Sequence, residues 1–340
     1  MIDFRYHLVS IVAVFLALAV GIVLGSTELR GAALSALDRT SNALSQKLDA
    51  ANNENSTLQQ EVNGDKSFAE AAEPVLLAHL LDGKRAVIIT APGAPAGVVS
   101  GISTALSDAG ATVSGQVSLS ATFADTSAGN LSLLDQLTQR VAPAGLTLAN
   151  GTPQQQAAQV LASALVSPAA AGSSGGSGGN VAAGSQAAQT ILSSYSAGQF
   201  ITVSGQPAQG ATLAVIVTPA SIPSGGNADP ANQAIVSLAQ EFGSSSQATV
   251  VAGAQAGSGP GSAISAVRSS GAANNASTVD NADEVNGQIV VVQALAQQLN
   301  GHKPGSYGTQ PDANSAAPSP APTPSVSPSA TAKTTSKGKK

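Results

Sequence analysis

The chain has 340 residues, of which 10 % are charged and 3 % aromatic, and a formal net charge of −5. Cysteine is absent, so there is no disulfide framework and no clue to redox compartment from thiols. The few basic residues are scattered over an acidic body, four lysines after Asp312 excepted, which argues against nucleic-acid binding.

Residues 8–24 read LVSIVAVFLALAVGIVL, an uncharged apolar run with no equal in the chain. As a helix it spans roughly 26 Å, close to the minimum for crossing a hydrocarbon core. Arg5 precedes it, and Glu28 and Arg30 follow. This bias predicts a single-pass anchor with the long C-terminal part on the extracytoplasmic side. A cleavable signal peptide shares the layout, but no good small-x-small site follows the apolar core, so the anchor is expected to stay. Within it, Ala13, Ala17, Gly21 and Gly25 recur at every fourth position. Small residues at that spacing form a smooth stripe on which two membrane helices approach closely.

A heptad pattern follows. Leu34, Leu37, Ser41, Leu44, Leu48, Ala51, Asn55, Leu58 and Val62 alternate steps of three and four, the seam of a coiled coil. Asn55 is expected to fix register and favour a parallel pair. Stripe and seam together predict a parallel homodimer or higher oligomer. Pro74 is read as a break and Asp82-Gly83 as a turn.

Residues 86–90 (AVIIT) then read as a buried strand, followed by the loop Ala91-Pro-Gly-Ala-Pro95. A helix over 97–109, closed by Gly110, and a strand over 111–119 complete a βαβ unit, which implies a parallel sheet. Ala-rich helices are expected at 130–141, 153–167 and 181–195. Strands are expected at 212–218 and 248–253, and helices at 230–242, 262–269 and 284–299. The fold class is α/β: one transmembrane helix, a coiled-coil helix, then a Rossmann-like, mostly parallel sheet domain with a disordered C-terminal tail. The expected divisions are 1–26 anchor, 27–66 coiled coil, 67–308 α/β domain and 309–340 tail. A flexible Gly/Ser insertion is placed at 169–180, and the tail is too poor in apolar bulk to offset ordering entropy.

Chemistry-bearing residues are few. The loop APGAPAG has glycines near a helix N-terminus but lacks a phosphate-loop ending and the GxGxxG pattern, so it reads as a plain βα turn. Asp280, Asp283 and Glu284 gather ahead of the last helix. They read first as helix caps, Asp280 or Asp283 foremost, and second as carboxylates able to hold a hard cation. His7, His79 and His302 share no ligand spacing, and the G-x-S-x-G pattern occurs only inside the Gly/Ser stretch 169–180, not as a strand-to-helix elbow. No enzymatic activity and no resident cofactor are expected.

Three segments carry a resemblance. Phe4-Arg-Tyr-His-Leu-Val-Ser10, leading into the anchor, resembles the start of the actinobacterial copper transport protein B family. Ser277-Thr-Val-Asp-Asn-Ala-Asp283 with Gly287-Gln288 resembles that family's C-terminal motif, and Gly305-Ser-Tyr-Gly308 its closing GxYG. The resemblance covers about 1–308. It implies a membrane-anchored envelope protein of copper efflux and homeostasis, described as pore-forming, with copper ions as partner and cargo. The residues set a bound on that role. Cu(I) prefers thiolate and thioether ligands, whereas this chain offers no Cys, one Met and three His. A single apolar helix is also no pore. A non-enzymatic envelope scaffold, its coiled coil presenting an α/β binding domain, is the alternative expectation.

Overall fold

In a computed structural model the described residues are 4–166 and 183–323; the Gly/Ser stretch 169–180 and residues 324–340 lie outside them. The chain divides into two compact units, Met1–Asp65 and Lys66–Lys340.

The first unit consists of helix α1, Phe4–Leu77, whose last turns belong to the second unit. Tyr6–Gly25 is long and apolar enough to cross a membrane, and none of it is buried. Ala13, Ala17, Gly21 and Gly25 are exposed, and a Cβ added at either glycine meets nothing within 4 Å. Further along, Leu37, Leu44, Leu48, Leu58 and Val62 are exposed by 52 to 67 %, so these seam residues are uncovered among the described residues. The expected break at Pro74 does not occur, because helix continues to Leu77. Pro74 lacks the N–H that would bond the carbonyl of residue 70, and the helix continues past it without that bond.

The second unit is a three-layer α/β/α domain. Its elements are β1 (Arg85–Thr90), α2 (Ala96–Asp108), β2 (Thr112–Leu119), α3 (Ala121–Ala124), α4 (Ala128–Val141), α5 (Pro153–Leu165) and α6 (Ser185–Ala197). Next come β3 (Ile201–Gly205), β4 (Leu213–Val217), α7 (Pro230–Ser245), β5 (Ala248–Ala252), α8 (Ala263–Arg268), β6 (Ser277–Val279), α9 (Val285–Leu299) and β7 (Ser306–Tyr307). The sheet order is β3-β2-β1-β4-β5-β6-β7. Every pairing is parallel except β2 with β3.

The central strands β4 and β5 are buried along their whole length, which is why they read as unbroken apolar runs. Val87, Ile89, Ala214 and Ile216 face a core shared with α3 to α8. Ala86, Ile88, Leu213 and Val215 face the opposite core, built with α2, α9 and Leu77. Period-two alternation thus assigns each strand side chain to one of two cores.

Three strands lie outside the sequence expectation. β3 buries Ile201 alone at its start and has no alternating pattern. β6 and β7 are three and two residues long, with Ser and Thr in buried positions. The sheet also recruits chain beyond 308, the expected start of the tail: Tyr307 bridges Ser315, and Gly308 N–H donates to Ser315 O at 3.1 Å.

Candidate functional site: the acidic turn after β6

The turn begins where β6 ends. Asp280 is fully buried, and its partner is Arg268, from the last turn of α8, whose side chain is only 5 % exposed. Arg268 Nη2 lies 2.9 Å from Asp280 Oδ2 and donates to Tyr307 O at 2.7 Å. Its Nε donates to Thr278 Oγ1 at 2.8 Å, and Nη1 reaches Asp312 Oδ1 at 2.6 Å. The Asp280 carboxylate also accepts the backbone N–H of Thr309 at 2.7 Å and of Gln310 at 3.2 Å. Residues 305–317 are thereby clasped against the edge of the sheet. A buried ion pair needs such added hydrogen bonds to offset its desolvation.

The glycines of GxYG follow from this clasp. Gly308 has φ +128°, and a Cβ there would sit 2.1 Å from Asp280 Oδ1. At Gly305 a Cβ would collide with the Tyr307 hydroxyl, which bonds Gln297 Oε1. Gly287 lets the first turn of α9 approach the acidic turn, since a Cβ would lie 1.9 Å from Asn281 O. Gln288 Nε2 donates to Ala282 O at 3.2 Å, tying the same turn to α9.

The capping expectation is therefore corrected. Glu284 occupies the N-cap position of α9 without a side-chain cap bond. Asp280 is turned toward the clasp, while Asp283 Oδ1 accepts the Gln255 N–H at 2.9 Å. Asp283 and Glu284 are exposed, and their charges still suit the positive end of the helix dipole. The three carboxylates are thus split, one buried against a guanidinium and two at the surface. Among the described residues no group of three His, Cys, Asp or Glu is placed to hold a metal ion. His79 pairs with Asp82 at 2.8 Å on the surface.

Arg268 and Asp312 were absent from the candidates read in the sequence. A signal was there: Arg268 is the only Lys or Arg between Arg140 and Lys303. A lone cation in a long stretch that holds five carboxylates points to a pair with one of them.

The βα turn behaves as expected. Gly93 has φ +81°, and α2 starts after Pro95 without a side-chain cap. The cleft beside it, about 700 Å³, holds neutral side chains such as Gln116 and Ser118, which bond each other at 3.1 Å.

Comparison with known proteins now bears on this geometry. The family model described as copper transport outer membrane protein, MctB, matches residues 1–318. The chain belongs to this family. The match runs from the anchor to the end of the clasped segment, ten residues further than the sequence resemblance reached. Copper transporter MctB of Mycobacterium tuberculosis (strain ATCC 25618 / H37Rv) is 29 % identical over 327 residues, covering 94 % of this chain and all of the relative. The protein of the same name from Mycobacterium bovis matches to the same extent. That of Mycobacterium leprae is 28 % identical over 324 residues, 93 % of this chain and 98 % of its own. Residues 277–288 and 305–308, two of the segments that carried the resemblance, meet in the Asp280 clasp.

Proposed function

We propose that this chain is a membrane-anchored, non-enzymatic envelope protein that assists copper efflux as an oligomer, with copper as its cargo. The family match over 1–318, with relatives that carry the name copper transporter along their full length, is the observation that carries this reading. The apolar span Tyr6–Gly25 supports the anchor, and Arg5 ahead of it supports an extracytoplasmic α/β domain. The exposed seam and small-residue stripe support parallel association.

Copper contact in this reading is weak and transient. With no Cys and a single Met, the chain lacks the soft ligands that hold Cu(I) tightly. Asp280 is neutralised by Arg268, so the acidic turn offers a passing cation only Asp283 and Glu284. A deletion strain should lose copper tolerance and regain it with the wild-type gene. Asp283→Asn with Glu284→Gln should lower the rescue without lowering the amount of protein; full rescue by that variant removes the acidic turn from the cargo path.

The lack of soft ligands favours a second reading, a scaffold that presents the α/β domain to other envelope components. Full-length protein in planar bilayers separates the two. Copper-dependent conductance, absent from an anchor-deleted control, supports transport; a silent bilayer supports the scaffold.

A further inference from the structure

A hollow of about 420 Å³ lies between the first turn of α5 and one face of α7. Gln154, Gln155, Gln233, Gln240, Thr152 and Ser237 line it, and no charged side chain does. Gln154 is only 8 % exposed, and its Nε2 is buried without a hydrogen-bond partner. Leaving such a donor unsatisfied costs roughly 1–3 kcal/mol. Of the other lining amides, Gln233 Nε2 donates to Asn227 O at 2.6 Å and Gln155 Nε2 to Glu241 Oε1 at 3.2 Å.

We propose that this hollow binds a neutral saccharide, a short run of sugar rings from a glycan. The chemistry selects that class. With no Lys or Arg at the wall, an anion has no counter-charge, and with no carboxylate a cation has none either. Seven of the thirteen lining residues carry an amide or a hydroxyl, set among small apolar groups such as Ala234 and Val236, a mixture that suits the polar rim and apolar face of a sugar ring. Sugar hydroxyls both donate and accept, which suits side-chain amides, and one can accept from the orphan Gln154 Nε2. The terminal torsion of a glutamine is soft, so a small rotation presents Gln154 Nε2 to the hollow. The volume falls within the range of roughly 300–1,000 Å³ usual for small-molecule sites. No aromatic ring lines the wall for stacking, so the expected Kd is on the order of 1 mM for one site. Association of several chains lowers the apparent Kd by avidity. The inference stands apart from the copper reading, since binding is measured without metal.

The test is saturation-transfer NMR on the detergent-solubilised full chain with three neutral probes: maltotriose, arabinotriose and N,N′-diacetylchitobiose. Glucuronic acid, inorganic phosphate and triglycine serve as controls. At least one neutral saccharide should show transfer. Its Kd should rise about tenfold in Gln154→Met and in Gln240→Met, isosteric changes that remove the amide. Without saccharide, Gln154→Met should melt at or above the wild-type temperature, because an orphan donor is gone. Silence from all three saccharides, unchanged binding in both variants, or preference for a control overturns the proposal. So does a lower Tm for Gln154→Met with saccharide binding intact in Gln240→Met, which marks the hollow as a water-filled structural site.

Discussion

Arg268 and Asp280 make the strongest residue-scale statement in the molecule. Each is almost wholly buried, and the two hold four segments of backbone and side chain together. Removing one partner leaves an uncompensated buried charge, so Arg268→Ala or Asp280→Ala should cost about 3–5 kcal/mol in urea unfolding. Gly308→Ala should destabilise by about 1–3 kcal/mol through its positive φ alone, before the clash with Asp280 is counted. Glu241 gives a pH signature. Burial pushes its carboxyl above the ordinary carboxylate range, only partly offset by the amide of Gln155. The folded state then binds the proton more tightly than the unfolded chain, so stability falls as pH rises from the ordinary carboxylate value through the raised one. Glu241→Gln should flatten that slope and raise stability at neutral pH, as read from unfolding curves across the window. The acidic residues of this site were legible in the sequence, but their roles were not. Asp280 reads as a helix cap because its partners, Arg268 and residues 309–310, are brought to it only by the sheet.

At the scale of elements, legibility followed burial. β1, β4 and β5 are apolar along nearly their whole length and stood out in the sequence. β3, β6 and β7 did not, because an edge strand buries one residue and short strands hide Ser and Thr behind tertiary hydrogen bonds such as Gly305 N–H to Ser277 Oγ at 3.1 Å. Pro74 read as a break and proved to be the last turn of a helix. The proposed parallel pairing of α1 sets Leu44 of two copies side by side. A cysteine-free chain permits a clean test: Leu44→Cys, at the seam, should yield symmetric disulfide dimers on mild oxidation, whereas Gln46→Cys, on the outward face, should not. Equal cross-linking at both positions would argue against a parallel seam. Gly21→Leu should fill the small-residue stripe and reduce dimer yield in detergent, with the α/β domain unaffected.

For the whole molecule, the family match covers the anchor, the seam, the sheet and the clasped segment, and stops at residue 318. Within the matched range this chain has both an apolar span and an α/β domain, while it offers no Cys and a single Met for copper. The proposed copper role therefore rests on membrane attachment rather than on tight metal binding. The most direct measurement is cell-associated copper in a copper-challenged deletion strain carrying either the full chain or a version exported without residues 1–26. The full chain should return copper to the wild-type level, and the freed domain, present in equal amount, should leave it raised. Copper restored equally by the freed domain would contradict the account.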